Sequence, residues 1–418
     1  MTVDLAALGA ALDDRLRAAD ADLAARFPGE RPVRQPVHTV YVPADRYDAD
    51  LGSRWQAEAL AALDEHGGGA EGAADAFGLP AHLAADLYTR VRAKLEREAI
   101  EDLRIDFEDG YGARPDDEED AAVDAAAAGL LRAVEAGTAT AFSGIRFKSF
   151  EAPTRARGLR TFARFVGAVA RDGRLPDGFV VTFPKVTSVD QVEAMLVACQ
   201  QVEAAAGLAD GAIRFEIQVE TPQAICGPDG TALVARMVHA SSGRCTSLHY
   251  GTYDFSASCG IAAAYQSMEH PAADHAKAVM QVAAAGTGVH LSDGSTNILP
   301  VGSHDDVLAA WRLHGRLVRR SLERGYYQGW DLHPAQLPSR YAATYSFFRE
   351  GLPAAAERLR NYVGQVASGV MDEPATARAL ADFVVRGLDC GAADEQEVHV
   401  LTGLDRPAID RLAKRSLA

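Results

Sequence analysis

Short apolar runs rich in β-branched and aromatic residues recur through the middle of the chain, and longer stretches with helical spacing separate them. The runs that predict strands are 38-HTVYVPA, 103-LRIDFED, 144-GIRFKSF, 179-FVVTFPKV, 213-IRFEIQVE, 247-SLHYGTYDF, 288-GVHLSD and 327-YQGWDLHP. Stretches between them, such as 190-DQVEAMLVACQQVEAAAG, predict helices that end near a glycine. Strands and helices that alternate in this way are typical of a parallel sheet, either closed into a barrel or open.

The closed barrel is favoured because an open, doubly wound sheet binds phosphate through a glycine-rich turn after its first strand. The segment 42-VPADRYDADLG contains no such GxGxxG turn. We therefore predict a (β/α)₈ TIM barrel over residues 36–340, preceded by an N-terminal helical segment over 1–35. A helical insertion with a mobile loop at 66-HGGGAEGAA follows the first strand, and residues 341–418 form a C-terminal helical extension that serves as a lid or an oligomer interface.

Composition and charge narrow the class of protein. Of the 418 residues, 48% are hydrophobic and 24% charged, which is typical of a globular protein. A net charge of -16 argues against a nucleic-acid partner, since binding to phosphates requires clustered Lys and Arg. The five scattered cysteines include no CxxC pair, the start resembles no signal peptide, and no apolar run reaches the ~20 residues of a membrane span. We expect a cytoplasmic protein without a membrane partner.

Polar residues close most of the predicted strands. In a (β/α)₈ barrel the carboxyl ends of the strands meet at one face, where the active site lies. The residues are Asp106, Glu108 and Asp109 after the second strand, Arg146 and Lys148 after the third, Lys185 after the fourth, Gln218 and Glu220 after the fifth, Asp254 after the sixth and His333 after the eighth. We expect these side chains to share one site.

Within that set, Glu220 and Asp254 follow neighbouring strands and can hold a hard cation, Mg²⁺ or Mn²⁺. The carboxylate and carbonyl oxygens of a 2-oxo acid can chelate the same ion, which stabilises the enolate that forms when the adjacent carbon-carbon bond breaks. Arg146 would supply a permanently charged donor to the same oxygen. The pattern thus predicts a carbon-carbon lyase or aldolase.

The ordered strings VPADR, IDFEDGYG, GIRF, FPKV, IQVET, GTYDFSASCG and GWDLHPAQL resemble the HpcH/HpaI aldolase and citrate lyase beta-subunit family. The resemblance runs from about residue 38 to 340 and implies a divergent member of the phosphoenolpyruvate/pyruvate barrel superfamily. It implies that Glu220 and Asp254 bind the metal and that Arg146 binds the substrate's carboxylate or enolate oxygen. Asp106, Glu108 and Asp109 match the family's acidic cluster, and Gln218 matches the Gln of its QxE motif. It also implies a homo-oligomer, commonly a trimer or hexamer.

Several of these residues keep a second interpretation. Arg146 is either a substrate ligand or a structural partner of the DFED acids, and those acids are either catalytic or helix caps. Lys185 supports the site electrostatically or forms a Schiff base as in metal-free aldolases. His333 binds substrate or is a structural histidine.

The predicted function is a Mg²⁺- or Mn²⁺-dependent carbon-carbon lyase or aldolase of a small 2-oxo or 2-hydroxy acid. One alternative is a CoA-thioester lyase of the malyl-CoA, citramalyl-CoA or citryl-CoA type, with Arg155, Arg157 and Arg160 as candidate ligands of the CoA phosphates. The other is a non-catalytic barrel that binds a small acid.

Overall fold

The computed structural model of the protein describes residues 3–364 and 373–413. These residues form eight parallel strands, each overlapping one of the predicted apolar runs; β2, β3 and β6 begin one or two residues before their runs. The strands are β1 (His38–Pro43), β2 (Asp102–Asp106), β3 (Phe142–Arg146), β4 (Phe179–Phe183), β5 (Phe215–Val219), β6 (Cys245–Tyr250), β7 (His290–Ser292) and β8 (Gly329–Asp331).

The helices of the described residues surround and extend this sheet. They are α1 (Leu5–Arg26), α2 (Leu51–His66), α3 (Gly69–Phe77), α4 (Ala84–Glu98), α5 (Asp116–Ala136), α6 (Arg155–Val169), α7 (Val189–Ala206), α8 (Pro222–Ile225), α9 (Leu233–Ala240), α10 (Thr252–Ser258), α11 (Pro271–Ala284), α12 (His304–Glu323), α13 (Leu337–Val363), α14 (Pro374–Cys390), α15 (Glu395–Thr402) and α16 (Arg406–Leu412). No helix in the described part of the chain is both long and apolar enough to cross a membrane.

The sheet closes into a barrel. Each strand from β1 to β6 pairs in parallel with the next along the chain, and β8 pairs with β1. Between β7 and β8, the Asp293 N–H donates to the Gln328 carbonyl over 2.8 Å, and the Trp330 N–H donates to the Gly294 carbonyl over 3.2 Å. These bonds complete the ring, and the predicted (β/α)₈ barrel is confirmed.

Side chains alternate between the helix layer and the barrel interior, as the two-residue period of a strand requires. The apolar positions of the strands, including Ile105, Ile145 and Val181, pack against α5, α6 and α7 in one buried cluster. The alternate positions are polar: inside the barrel, Arg104 of β2 donates from Nη2 to Glu216 of β5 over 2.8 Å. The barrel interior is therefore charged along much of its length.

The insertion after β1 forms helices α2, α3 and α4, as predicted, but the mobile loop predicted at 66–74 is wrong from Gly69 onward. Residues Gly69–Phe77 are helical because Ala73, Ala76 and Phe77 are buried. The Phe77 ring stacks on Trp311 of α12 at 4.7 Å between centroids. Packing against a distant helix thus orders a segment whose glycines suggested a loop.

The two flanking regions differ in how they meet the barrel. Helix α1 occupies nearly the predicted N-terminal helix, and none of its residues is buried. Helix α13 begins at Leu337 and continues to Val363, so one helix spans the predicted boundary at 340. The C-terminal helices also share a small core of their own that includes Leu359, Val385 and Ile409. The division into three regions stays a prediction.

Candidate active site

The carboxyl ends of β2 to β6 bring together most of the predicted site residues. Asp106 and Arg146 are the last residues of β2 and β3 and stand side by side in the strand register. Gln218 lies in β5, and Glu220 is the first residue after that strand. Asp254 lies in the first turn of α10, after β6. Lys185 follows β4 by two residues.

Arg146 and Asp106 form a bidentate ion pair. Arg146 Nε donates to Asp106 Oδ1 over 2.7 Å, and Nη2 donates to Oδ2 over 2.6 Å. Asp106 also accepts from the N–H groups of Glu108 and Gly110, over 2.9 and 2.8 Å. Four donors occupy this carboxylate, so Asp106 is better suited to positioning Arg146 and the following loop than to moving a proton.

The other edge of the Arg146 guanidinium is less occupied. Its Nη1 lies 3.4 Å from Glu108 Oε2 and 3.5 Å from Gln218 Oε1, at the long limit of hydrogen bonding. The guanidinium stacks over the ring of Tyr41 at 4.8 Å. This geometry leaves Nη1 able to bind an incoming oxygen without breaking the pair with Asp106.

Lys185 contacts more of the acids than any other residue of the site. Its ammonium donates to Glu108 and, over 2.8 Å, to Asp109 Oδ2, and it lies 3.9 Å from Asp254 Oδ2. Its backbone N–H donates to Glu220 Oε1 over 2.7 Å. The residue has φ of 52°, a left-handed conformation that costs energy for a non-glycine residue. These contacts offset that cost and hold the lysine beside the four carboxylates of Glu108, Asp109, Glu220 and Asp254, here called the carboxylate cluster.

Glu220 is the most deeply placed member of the carboxylate cluster. Its side chain is 1% exposed, and it accepts from Gln218 Nε2 at Oε2 as well as from Lys185 at Oε1. The Cα of Gly251 lies so close that an added Cβ would stand 2.5 Å from the Glu220 Cβ. Gly251 therefore makes the room that Glu220 occupies.

Burial and mutual repulsion disturb the charge of the carboxylate cluster. Burial, together with the nearby charges of Glu108 and Asp254, raises the pKa of Glu220 well above its usual range, although Lys185 and Arg146 lower it. Burial also raises the pKa of Asp254 and raises that of Glu108 to about 7. Since Arg146 is already paired with Asp106, the one ammonium of Lys185 faces four carboxylates. The cluster is short of positive charge.

The donor set fits a hard divalent cation. Within the described residues, no group of three or more His, Cys, Asp or Glu side chains is arranged to hold a metal. Mg²⁺, however, commonly takes only one or two protein carboxylates and completes its shell with waters and substrate oxygens. Glu220 and Asp254 can supply those two carboxylates, and oxygen donors of this kind suit Mg²⁺ or Mn²⁺.

The hydrogen bonds of His333 are to residues of its own turn, after β8. Its Nδ1 accepts from the Ala335 N–H over 3.1 Å, which caps the short helical turn after β8. Burial lowers its pKa. These contacts fit the structural interpretation, and its role in substrate binding stays a prediction.

The arginines considered for CoA phosphates are largely engaged. Arg157 Nη2 and Arg160 Nε donate to Asp120 Oδ1 over 2.7 and 3.0 Å. Arg155 Nε donates to the Phe150 carbonyl over 3.0 Å. The three side chains therefore do not form an uncompensated basic patch.

Two contributors to the site were missed in the sequence, Tyr41 and Gly251. Tyr41 lies inside an apolar strand and reads as core, and nothing local connects it with Arg146. Gly251 precedes the motif that contains Asp254, and its position directly after a strand is a signal for close backbone approach.

Comparison with known proteins adds a family and a fold. The family described as "Domain of unknown function (DUF6986)" matches residues 16–417. A search of curated proteins gave no significant match. Among solved structures, protein CitE from Mycobacterium tuberculosis, in complex with magnesium, acetoacetate and coenzyme A, is 16% identical, with 86% of this chain and 99% of that chain covered and a TM-score of 0.50.

Two further structures are similar in fold. A malate synthase from Haloferax volcanii, in a lead(II) complex, is 13% identical over 89% of this chain and 90% of that chain, with a TM-score of 0.50. An HpcH/HpaI aldolase/citrate lyase family protein from Burkholderia cenocepacia is 16% identical over 76% and 94%, with a TM-score of 0.42. At these identities the similarity concerns the fold, and at that level the CitE structure, with a TM-score of 0.50, confirms the predicted resemblance.

Proposed function

The chain belongs to the family described as "Domain of unknown function (DUF6986)", and we propose that it is a divalent-metal-dependent carbon-carbon lyase or aldolase. Its substrate would be a small 2-oxo or 2-hydroxy acid. The observation that carries this proposal is the carboxylate cluster, in which Glu108 and Glu220 are buried; the cluster is short of positive charge and lies beside Arg146 at the face where barrel enzymes hold their active sites.

Glu220 and Asp254 would hold Mg²⁺ or Mn²⁺, which when bound supplies the positive charge that polarises the substrate's 2-oxo group. Arg146 binds the substrate through Nη1, its less occupied edge, and stabilises negative charge on the enolate oxygen. Asp106 keeps the guanidinium in that orientation through its bidentate pair. Gln218, which bridges Arg146 and Glu220, aligns the two.

Glu108 is the residue we assign to proton transfer. In the cleavage direction Glu108 takes the proton of the hydroxyl that becomes the product carbonyl. The carbon-carbon bond then breaks, and the electron pair of that bond forms the enolate. Protonation of the enolate carbon then gives the second product. A pKa near 7 suits an acid-base group at neutral pH. Lys185 and Asp109 hold the Glu108 carboxylate in place through Nζ and the backbone N–H, respectively.

The free acid is favoured over a CoA thioester as substrate. Arg157 and Arg160, which would meet the CoA phosphates, both pair with Asp120, and Arg157 also lies 3.4 Å from Glu119. CoA is present in the complex of protein CitE, which shares the fold. For this chain we infer the small-acid part of such a ligand set together with the divalent cation.

We also propose that the protein assembles as a homo-oligomer. Helix α1 is fully exposed and carries Leu5, Leu8, Leu12 and Leu16 on its surface. Leucines at this spacing form one stripe of a helix, which a second copy could cover.

The test is release of pyruvate or glyoxylate from a panel of 4-hydroxy-2-oxo acids and 3-hydroxyacyl-CoA thioesters, with Mg²⁺, with Mn²⁺ and with EDTA. We expect metal-dependent release from a free acid, lost in Glu220→Gln and kept in the matched control Glu193→Gln, whose side chain is exposed on α7. Turnover that persists in EDTA would contradict the metal and favour a Schiff base on Lys185. A metal-binding protein that is silent on the whole panel would favour the non-catalytic alternative.

A further inference from the structure

A cavity lies at the opposite end of the barrel from the carboxylate cluster. Its volume is about 620 Å³, which is within the range of small-molecule sites. Its lining includes the first residues of β2, β3, β4 and β7, namely Asp102, Phe142, Phe179 and His290. Since parallel strands begin at one face and end at the other, this cavity shares no residue with the candidate active site.

Arginines dominate the charge of this cavity. Those that line it are Arg31, Arg34, Arg104, Arg174 and Arg214, against the carboxylates of Asp102, Asp177 and Glu216. The whole chain carries a net charge of -16, so a lining with more arginines than acids departs from the rest of the molecule.

Two of the arginines have carboxylate partners. Arg104 is fully buried between Asp102 and Glu216 and reaches Glu216 Oε2 over 2.8 Å. Arg34 pairs with Glu98 and Glu101 over 2.9 and 2.7 Å. These two contribute to the stability of the barrel, and their charge is balanced.

The other three arginines have no carboxylate partner among the described residues. Arg31 donates only to backbone carbonyls, from Nε to Gly288 over 2.6 Å and from Nη2 to Thr246 over 2.6 Å. Arg214 donates from Nη1 to the Gly243 carbonyl over 2.6 Å. The side chain of Arg174 makes no hydrogen bond or ion pair within the part of the chain that the structure describes.

The surroundings of Arg31 also lower its pKa. Burial lowers the pKa of its guanidinium, and the nearby positive charge of Arg214 lowers it further, although Cys245 and Glu30 oppose this. Two guanidiniums thus lie close together at a partly buried rim. An anion placed between them would relieve both the desolvation and the repulsion.

A purely structural role accounts for Arg31 but not for Arg174 and Arg214. Arg31 ties the segment before β1 to the barrel, which accounts for its two carbonyl contacts. Arg174 and Arg214 are exposed; Arg174 makes no such contact among the described residues, and Arg214 makes a single bond, to the Gly243 carbonyl. Guanidinium groups offer planar pairs of donors that match phosphate and carboxylate oxygens.

The walls of the cavity are apolar. Val33, Leu175, Pro176, Phe179 and Ala212 line it beside the arginines. We propose that this cavity is a binding site for a small organic anion, whose apolar or aromatic body packs on these walls and whose phosphate or carboxylate group is held by Arg31, Arg174 and Arg214.

The test is isothermal titration calorimetry on the full-length protein, with ADP, ATP, inorganic phosphate, benzoate and octanoate as probes. EDTA is present throughout, and each titration is repeated on Glu220→Gln, so that binding at the carboxylate cluster is recognised. We expect saturable binding of at least one organic anion at one site per chain, unchanged in Glu220→Gln. The nucleotide and carboxylate probes distinguish the two sources of negative charge, and phosphate alone should bind more weakly because it leaves the apolar walls uncovered.

The variants are Arg174→Gln with Arg214→Gln, compared with Arg171→Gln as the matched control. Arg171 is an exposed arginine in the same turn as Arg174 but does not line the cavity. Loss of two charged donors should weaken binding on the order of tenfold or more, whereas the control should keep the wild-type affinity. No binding of any probe up to millimolar concentration, or equal weakening in the control, would overturn the proposal.

Discussion

Two buried carboxylates of the same barrel, Asp331 in β8 and Glu220 after β5, are 0% and 1% exposed, yet their surroundings differ. Asp331 accepts from Arg340 Nη2 over 2.9 Å and from His38 Nδ1 over 2.9 Å, and it lies 3.2 Å from His314 Nε2. Burial would raise the pKa of Asp331, but Arg340 and the two histidines outweigh it and hold that pKa well below its usual range.

Glu220 has the opposite balance, because its closest charged neighbours include two other carboxylates and the pKa is raised. The comparison separates two uses of a buried acid. A buried acid such as Asp331, whose charge is balanced by neighbouring donors, stabilises the fold. A buried acid such as Glu220, which shares too little positive charge with neighbouring carboxylates, is a candidate for binding a metal cation. Burial alone does not distinguish them.

The largest expected effect is on folding, at the balanced site. Replacing Asp331→Asn leaves the Arg340 guanidinium buried without a counter-charge, and the free energy of unfolding should fall by about 3–5 kcal/mol. Glu220→Gln removes a negative charge that the neighbouring carboxylates repel. The free energy of unfolding of the metal-free protein should therefore fall by less than about 1 kcal/mol, or rise. Urea unfolding in EDTA measures both, and a larger loss in Glu220→Gln than in Asp331→Asn would reverse the comparison.

A smaller effect is expected at Gly251. In Gly251→Ala the new Cβ would meet the Glu220 side chain at 2.5 Å, so Glu220 must shift, at a cost of about 1–3 kcal/mol in unfolding free energy. Metal affinity should fall with it. Gly167→Ala is the matched control, because no atom lies within 4 Å of a Cβ there and the residue is in α6. Equal stability of the two variants would show that Glu220 is not confined by Gly251.

The smallest effect is the pH dependence of stability in EDTA, where the two acids act in opposite directions. The depressed pKa of Asp331 contributes stability that is present above the unfolded-state pKa of about 4 and is lost as the pH falls below it. The raised pKa of Glu220 means that the folded state binds its proton more tightly, so stability is lost as the pH rises through the folded pKa. Glu220→Gln should therefore flatten the part of the curve that lies above the unfolded-state pKa of about 4. An unchanged curve in that variant would contradict the raised pKa.

The elements of the barrel could be predicted from the sequence because each strand is a local apolar run. The same holds for Asp106, Arg146, Glu220 and Asp254, since a polar residue at the end of such a run is visible without tertiary information. Helix α3 could not be predicted, because its order depends on Trp311, more than 230 positions away.

The charged partners of each buried acid could likewise not be predicted from the sequence. His38 and Asp331 are 293 positions apart, and Lys185 and Glu108 are 77 apart. The left-handed conformation of Lys185 has no sequence signal, because a non-glycine residue with positive φ is decided by its tertiary contacts. The cavity arginines are equally dispersed, and only the closure of the barrel collects them.

The most direct test of the central claim is Mn²⁺ binding, followed by electron paramagnetic resonance of the free ion, in wild type, Glu220→Gln, Asp254→Asn and the control Glu193→Gln. Wild type and control should bind one Mn²⁺ per chain, with competition by Mg²⁺. Both site variants should weaken that binding at least tenfold, since each removes one of two protein ligands. Equal affinity in all four proteins would contradict the assignment of Glu220 and Asp254 as the metal site.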